Sequence, residues 1–363
     1  MKKIAAACIL LFAITTASAQ MDLPPSAGNP RATISEEVGI TSITIKYSRP
    51  DVSGREGKIW GTLVTYGFTS QNLNTNKNDM PWRAGANETT TIIFEHDVKV
   101  EGQPIKAGTY GLFMAVWPEK VTIIFSKQSD TWGSFFYEEK NDALRVDVKP
   151  VVLEKSVEYL KYEFIEHKEK YCVIALQWEK LSVPFKVDVD VDNIVLARMR
   201  DQVAGQRGFN PLLLTAAANY FINKNINLEE ALAWSQRAGN FKSFPTLNTL
   251  GTAYTKLNKL KEADSTMNEA LVFANPGQYL TYGRNLITAK RFDRSLEVFN
   301  SNQKKNGDVF QVNAGFMSYY SAKGDYKKAL EYADKALAQA PDPVKPAITA
   351  NIAKLKEGKD INQ

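Results

Sequence analysis

Cysteine and histidine are both scarce in this 363-residue sequence, with two of each. One cysteine, Cys8, lies in the N-terminal stretch MKKIAAACILLFAITTASAQ. There two lysines precede a short apolar run, and Ala17-Ser18-Ala19 supplies a small-x-small cleavage pattern. We therefore read residues 1–19 as a signal peptide cut after Ala19 and expect a periplasmic or secreted protein. The mature chain is left with Cys172 alone, so no internal disulfide is expected, and its setting in YCVIALQW reads as a buried strand. His96 and His167 share no metal-ligand spacing with each other or with a cysteine, which argues against zinc. Past the signal, no run approaches the ~20 apolar residues of a membrane span, so no membrane insertion is expected. Charge of one sign is also short. The formal net charge of +5 falls to +3 without Lys2 and Lys3, which gives nucleic acid little to bind. No phosphate loop, dinucleotide fingerprint or GxSxG elbow occurs, so no cofactor is expected.

What is present divides into two grammars. The length exceeds the ~250–300 residues at which one core splits into domains. From about residue 30 to 195 the pattern is strand-like. ITSITIKYS (40–48) alternates with period 2, and HDVKVEGQPIKAGTYGLFMAVWPEKVTIIFS supplies three further strands with turns at Glu101-Gly102 and Pro118-Glu119. VEYLKYEFIE, EKYCVIALQWEK and LSVPFKVDVDVD follow, and five of the six tryptophans fall in this half. Many short strands without a long helical pattern predict an antiparallel all-β sandwich or barrel. The run VDVDVDN (187–193) begins like a calcium loop, but Asn193 and Met199 stand where glycine and glutamate are required. It reads instead as a last strand with one wet face.

After about residue 200 the grammar is helical and repetitive. Segments 216–239, 247–271, 279–300 and 313–341 superimpose, with Ala231, Ala263, Ser295 and Ala329 at spacings of 32, 32 and 34. Gly324 falls at an inter-helix turn, Pro341 closes the last copy, and ITANIAKLKEG reads as a capping helix. The period and the small residues resemble tetratricopeptide repeats, which implies an all-α solenoid that docks a protein or peptide partner or braces its neighbour. The expected organisation is a signal peptide (1–19), a linker (20–32), a β-sandwich domain (33–195), a second linker (196–212) and the helical repeats with their cap (213–363).

Within the β half three blocks carry polar residues beside glycine and proline: YSRPDVSGREGKIWGTLVTYG (47–67), MPWRAGANETTTIIF (80–94) and IKAGTYGLF (105–113). Together, over about 33–190, they resemble the family called domain of unknown function 2911, found largely in exported proteins of Bacteroidetes-type bacteria. The resemblance implies no established activity. The polar insertion FTSQNLNTNKND (68–79) is a departure from that family and reads as an exposed loop. The candidate ligand-binding residues are Arg49, Arg55, Trp82, Arg83, Asn87, Glu88 and Tyr110. Three arginines against Glu88 leave surplus donors suited to a carboxylate, phosphate or sulfate, and Trp82 and Tyr110 offer faces for a sugar or an aromatic ring. The leading expectation is a non-catalytic binding protein with an anionic or carbohydrate ligand. The alternatives are an envelope hydrolase using Glu88 with Arg83 and Arg55, and a structural protein whose arginines tie loops together. Neighbouring positive charge lowers the pKa of Glu88 and weakens it as a base, which counts against the hydrolase.

Overall fold

The computed structural model describes residues 28–69 and 79–362, and the chain divides into two compact units between Arg198 and Met199. The signal peptide and most of the 68–79 insertion lie outside the described residues.

The first unit carries β1 (Arg31–Val38), β2 (Thr41–Ser48), β3 (Thr91–Phe94), β4 (Val98–Val100), β5 (Gln103–Ile105), β6 (Gly108–Val116), β7 (Val121–Ser126), β8 (Asp142–Val148), β9 (Val151–Lys168) and β10 (Tyr171–Val189). All strand pairs are antiparallel, in a six-stranded sheet ordered β1-β2-β3-β6-β7-β8 and a four-stranded sheet ordered β5-β4-β10-β9. The architecture is two sheets, not a closed barrel. Period 2 is literal in β2, where Ile43, Ile45 and Tyr47 face inward and Lys46 is exposed. The interior strand β7, between β6 and β8, is buried along its whole length.

The expected three strands after His96 are four. Glu101-Gly102, with φ of +48° and +78°, turns β4 back on β5, and this short hairpin joins the other sheet through β10. Aromatic pairs stitch the two sheets together. Phe125 meets Phe185 edge-on at 6.3 Å, and Tyr47 meets Tyr162 edge-on at 4.9 Å. Each such pair is worth roughly 0.5–1.5 kcal/mol beyond its buried area. Cys172 is wholly buried on β10, and burial pushes its thiol up to about 12.

Two boundaries differ from expectation. β1 begins at Arg31, inside the stretch expected as linker. VDVDVDN is not strand throughout: β10 stops at Val189, and Val191–Ala204 forms α1. Asp190 makes the switch, since its carbonyl accepts Ile194 N–H at 3.0 Å and its carboxylate accepts the Asn193 amide at 2.8 Å. Carboxylates at 190 and 192 suit the positive end of a helix better than a strand.

The second unit stacks helix pairs α2 (Pro211–Lys224) with α3 (Leu228–Gly239), α4 (Phe244–Lys256) with α5 (Leu260–Val272), α6 (Pro276–Thr288) with α7 (Phe292–Asn306) and α8 (Phe310–Ala322) with α9 (Tyr326–Gln339), closed by α10 (Lys345–Lys356). The small residues do what their spacing implies: Ala231, Ala263, Ser295 and Ala329 are all at most 1% exposed, where paired helices touch. Ser295, the one departure, donates its hydroxyl to the Gly283 carbonyl at 2.9 Å, so the extra oxygen is satisfied. The turns inside the four pairs place Asn225, Asn258, Lys290 and Gly324 at φ between +56° and +75°. A left-handed residue at this point accepts the helix end and starts the return, and asparagine does the same work as glycine. Only Gly324 of these four stood out in the sequence.

Candidate functional site

In the first unit the segment around Trp82 lies beside the far end of β6. The Trp82 N–H donates to the Met114 carbonyl at 2.9 Å and the Trp82 carbonyl accepts the Met114 N–H at 2.8 Å, so this segment extends the short β3 as a strand neighbour. The chain then turns through Ala84 and Asn87, both at positive φ. Ala84 is fully buried, and its carbonyl accepts the hydroxyls of Tyr162 at 2.9 Å and Thr90 at 3.1 Å. Gly85 passes so close that a β-carbon there would sit 2.6 Å from the Thr90 hydroxyl. A turn tied at both sides is a rigid mount for the side chain that leaves it at Arg83.

Arg83 leaves that turn into a cleft of about 340 Å³ lined by Arg55, Leu63, Trp82, Ser134, Phe135 and Trp178, among others. Its Nε is buried and has no hydrogen-bond partner among the described residues, nor does any described carboxylate lie within ion-pair distance of it. Burial holds the guanidinium below its ordinary pKa. Two buried indole N–H groups nearby are also without partners, those of Trp60 and Trp178. Trp178 stacks on Trp82 (6.0 Å, 19°), and Trp60 meets both edge-on at 5.8 and 5.7 Å. Two of the cleft's lining residues, Arg83 and Trp178, thus carry buried donors without partners, which costs free energy unless an acceptor reaches them.

The seven residues expected to converge do so only in part. Arg55, Trp82 and Arg83 line the cleft; Arg49, Asn87, Glu88 and Tyr110 do not. Arg49 donates to the Leu160 carbonyl at 2.9 Å and lies over the Tyr159 ring, tying β2 to β9. Arg55 is spent on Asp51 and Val52: its donors reach the Val52 carbonyl at 2.9 Å, the Asp51 carbonyl at 2.8 Å and the Asp51 carboxylate at 3.2 Å. Glu88 is not the partner of Arg83. It pairs with Arg31 and accepts the Ser48 hydroxyl at 3.1 Å. Burial pulls the Glu88 pKa upward, but its backbone, Arg31 and Ser48 outweigh this and hold it below the usual carboxylate range. Asn87 supplies the positive φ of the turn, and the Tyr110 hydroxyl donates to the Lys106 carbonyl at 2.9 Å. Two of the three arginines therefore tie loops, and the constellation of Glu88, Arg83 and Arg55 does not assemble.

Trp178, Ser134 and Phe135 were not legible as site residues. Gly133, beside them, lies so close to Arg83 that a β-carbon there would be 2.6 Å from Nη1. The signal that was available is the run TWGSFFY (131–137), rich in rings and broken by a glycine, outside any strand.

Residues 29–187 match the family model described as "Protein of unknown function (DUF2911)". The β-unit is a DUF2911 domain. Downstream of the DUF2911 domain, residues 244–271 and 318–343 match a tetratricopeptide repeat model. No curated protein matches the chain. Among solved structures, similarity extends to a tetratricopeptide repeat protein from Parabacteroides merdae (19% identity, TM-score 0.34, 46% of this chain and 65% of that one). It extends also to a chain of the APC/C hetero-tetramer Cut9–Hcn1 (15%, TM-score 0.32, 46% and 33%) and to YrrB, titled a TPR protein with an unusual peptide-binding site (18%, TM-score 0.30, 45% and 86%). This chain spans less than two thirds of the length of the first two.

The repeats hold a second cavity, about 520 Å³, between α4 and α6. Phe244, Met267, Tyr282 and Leu286 give it an apolar floor, and Asn248, Gln278, Thr281 and Asn285, with Arg291, a polar rim. Solenoids of stacked helix pairs use such extended surfaces for protein interaction. No described helix is long and apolar enough to cross a membrane.

Proposed function

We propose that the protein is an exported, non-catalytic binding protein whose DUF2911 domain holds an anionic group on Arg83 and whose repeats dock a protein partner. The observation that carries this reading is the partly buried Arg83 guanidinium, without a partner among the described residues, in a cleft also lined by Trp178 with its unpartnered indole N–H. A structural arginine would be expected to have used its donors, as Arg49 and Arg55 have. Arg83 keeps its own at a free-energy cost, which an arriving carboxylate, phosphate or sulfate oxygen offsets.

The test follows from that cost. Replacing Arg83 by methionine, similar in length and without donors, should stabilise the unliganded protein by about 1 kcal/mol, a rise of roughly 2–4 °C in melting temperature. The same variant should lose any thermal shift that small anions give the parent chain. A marked fall in melting temperature instead would make Arg83 part of a structural network and end the binding reading.

The partner surface is tested separately. Thr281 and Asn285 are exposed on the cavity rim. Arginines at both should abolish capture of a cross-linked partner and leave the melting temperature unchanged, whereas Arg83→Met should leave capture intact. Capture that survives the double substitution would remove this groove as the docking site.

A further inference from the structure

Resting on the reading of Arg83 as an anion site, we propose that the ligand of the DUF2911 cleft is a sugar unit carrying a single negative charge, presented by an acidic glycan. The charge count comes first. Of the two guanidiniums that line the cleft, Arg55 is neutralised by Asp51, and Arg83 has no carboxylate within ion-pair reach among the described residues. One uncompensated positive charge suits a uronate carboxylate or a sulfate ester. A phosphate monoester, at close to two negative charges, leaves one unmatched.

The rest of the lining points to a ring with hydroxyls. The cleft's volume of about 340 Å³ lies at the small end of ligand sites, enough for one or two sugar rings. Thr65, Thr69, Ser134 and Asn29 supply hydroxyls and an amide around it, groups that both donate and accept as sugar hydroxyls require. Trp178, 1% exposed and part of the lining, carries a buried indole N–H without a partner. Outside, four large apolar side chains stand in water. Leu63 is itself part of the lining, Tyr66 follows Thr65, and Trp132 and Phe136 flank Ser134 and Phe135; Trp132 is 55% exposed. Apolar surface kept in water beside a charged cleft suits neighbouring sugar rings laid flat on it.

Calorimetric titration of the full chain tests this with oligomers of galacturonate, glucuronate and mannuronate, a sulfated galactose, the methyl-esterified and neutral counterparts, and acetate and phosphate. Binding is expected for the charged sugars alone, and whether the carboxylated or the sulfated members bind identifies which source of charge is used. Arg83→Gln should weaken it by roughly tenfold to a hundredfold. Trp132→Ala should weaken it by roughly twofold to tenfold, with the melting temperature unchanged because that ring is exposed. Equal binding of neutral sugars would overturn the assignment of charge. Acetate or phosphate binding as tightly as the sugars would overturn the sugar class and leave an anion site standing. Binding of no anion at all would overturn both readings.

Discussion

Phe299→Ala is expected to cost the helical repeats about 3–5 kcal/mol. Phe299 is wholly buried, and two glycines on neighbouring helices make its seat: a β-carbon at Gly283 would fall 2.2 Å from its ring, and one at Gly315 2.6 Å. The ring is thus wedged between α6 and α8, with Phe316 6.1 Å away, and joins the third repeat to the fourth. Truncation leaves a cavity walled by two backbones that lack side chains to collapse into it. Gly283→Ala alone should also destabilise the solenoid, but much less so in the Phe299→Ala background, because the wedge it collides with is gone. Circular dichroism at the helix band follows the solenoid, and tryptophan fluorescence follows chiefly the β-unit, which holds five of the six tryptophans. The helix transition is expected to move and the fluorescence transition to stay. Both moving together would show the repeats to be a brace for the β-unit and not a separate docking module.

The repeats were legible because a solenoid is built from local contacts. Each repeat meets only its neighbours, so a small residue recurring every 32 to 34 positions records the helix crossing directly. The strands of the first unit were legible for a similar reason, since burial on one face writes period 2 into β2. The hairpin of β4 and β5 was harder, because two three-residue strands leave almost no period to read. The turn residues of the repeats were half legible: glycine announces a left-handed conformation, whereas Asn225, Asn258 and Lys290 take it without announcing it.

The site was the least legible part, because its residues come from separate places. Arg83 and Trp82 are adjacent, and Arg55 lies in the preceding block, so composition alone drew attention to them. Glu88 sits five residues from Arg83 in sequence, yet its partner is Arg31, 57 residues away at the start of β1. Trp178 lies on β10, nearly a hundred positions beyond Trp82, in a strand whose sequence suggests only core. Charge balance drawn from one stretch of sequence therefore paired the wrong groups, and the true surplus, a single arginine with two indoles, needed the fold.

Trp178→Ala should unfold the β-unit about 6–20 °C earlier, from a loss of about 3–5 kcal/mol, and should eliminate ligand binding as well. The residue owes its position to an irregularity in β10. The pairing register with β9 shifts on both sides of Glu179, whose φ is +51°, and Trp178 and Glu179 are both buried there. The two use that irregularity differently. Glu179 accepts the Gly57 N–H at 2.9 Å and so holds the loop that carries Arg55, while Trp178 forms the floor under Trp82 and Trp60. Alanine removes the floor, leaving a void beside Trp82, the residue before Arg83. Trp178→Phe should recover most of the melting temperature but lack the indole N–H, so it separates packing from donation: stability returns and affinity does not. Set beside Arg83→Met, the signs are opposite. Removing the floor destabilises, and removing the unpaired charge stabilises, although both end binding. A structural network predicts destabilisation from both, so the pair of melting temperatures discriminates between the two readings before any ligand is known.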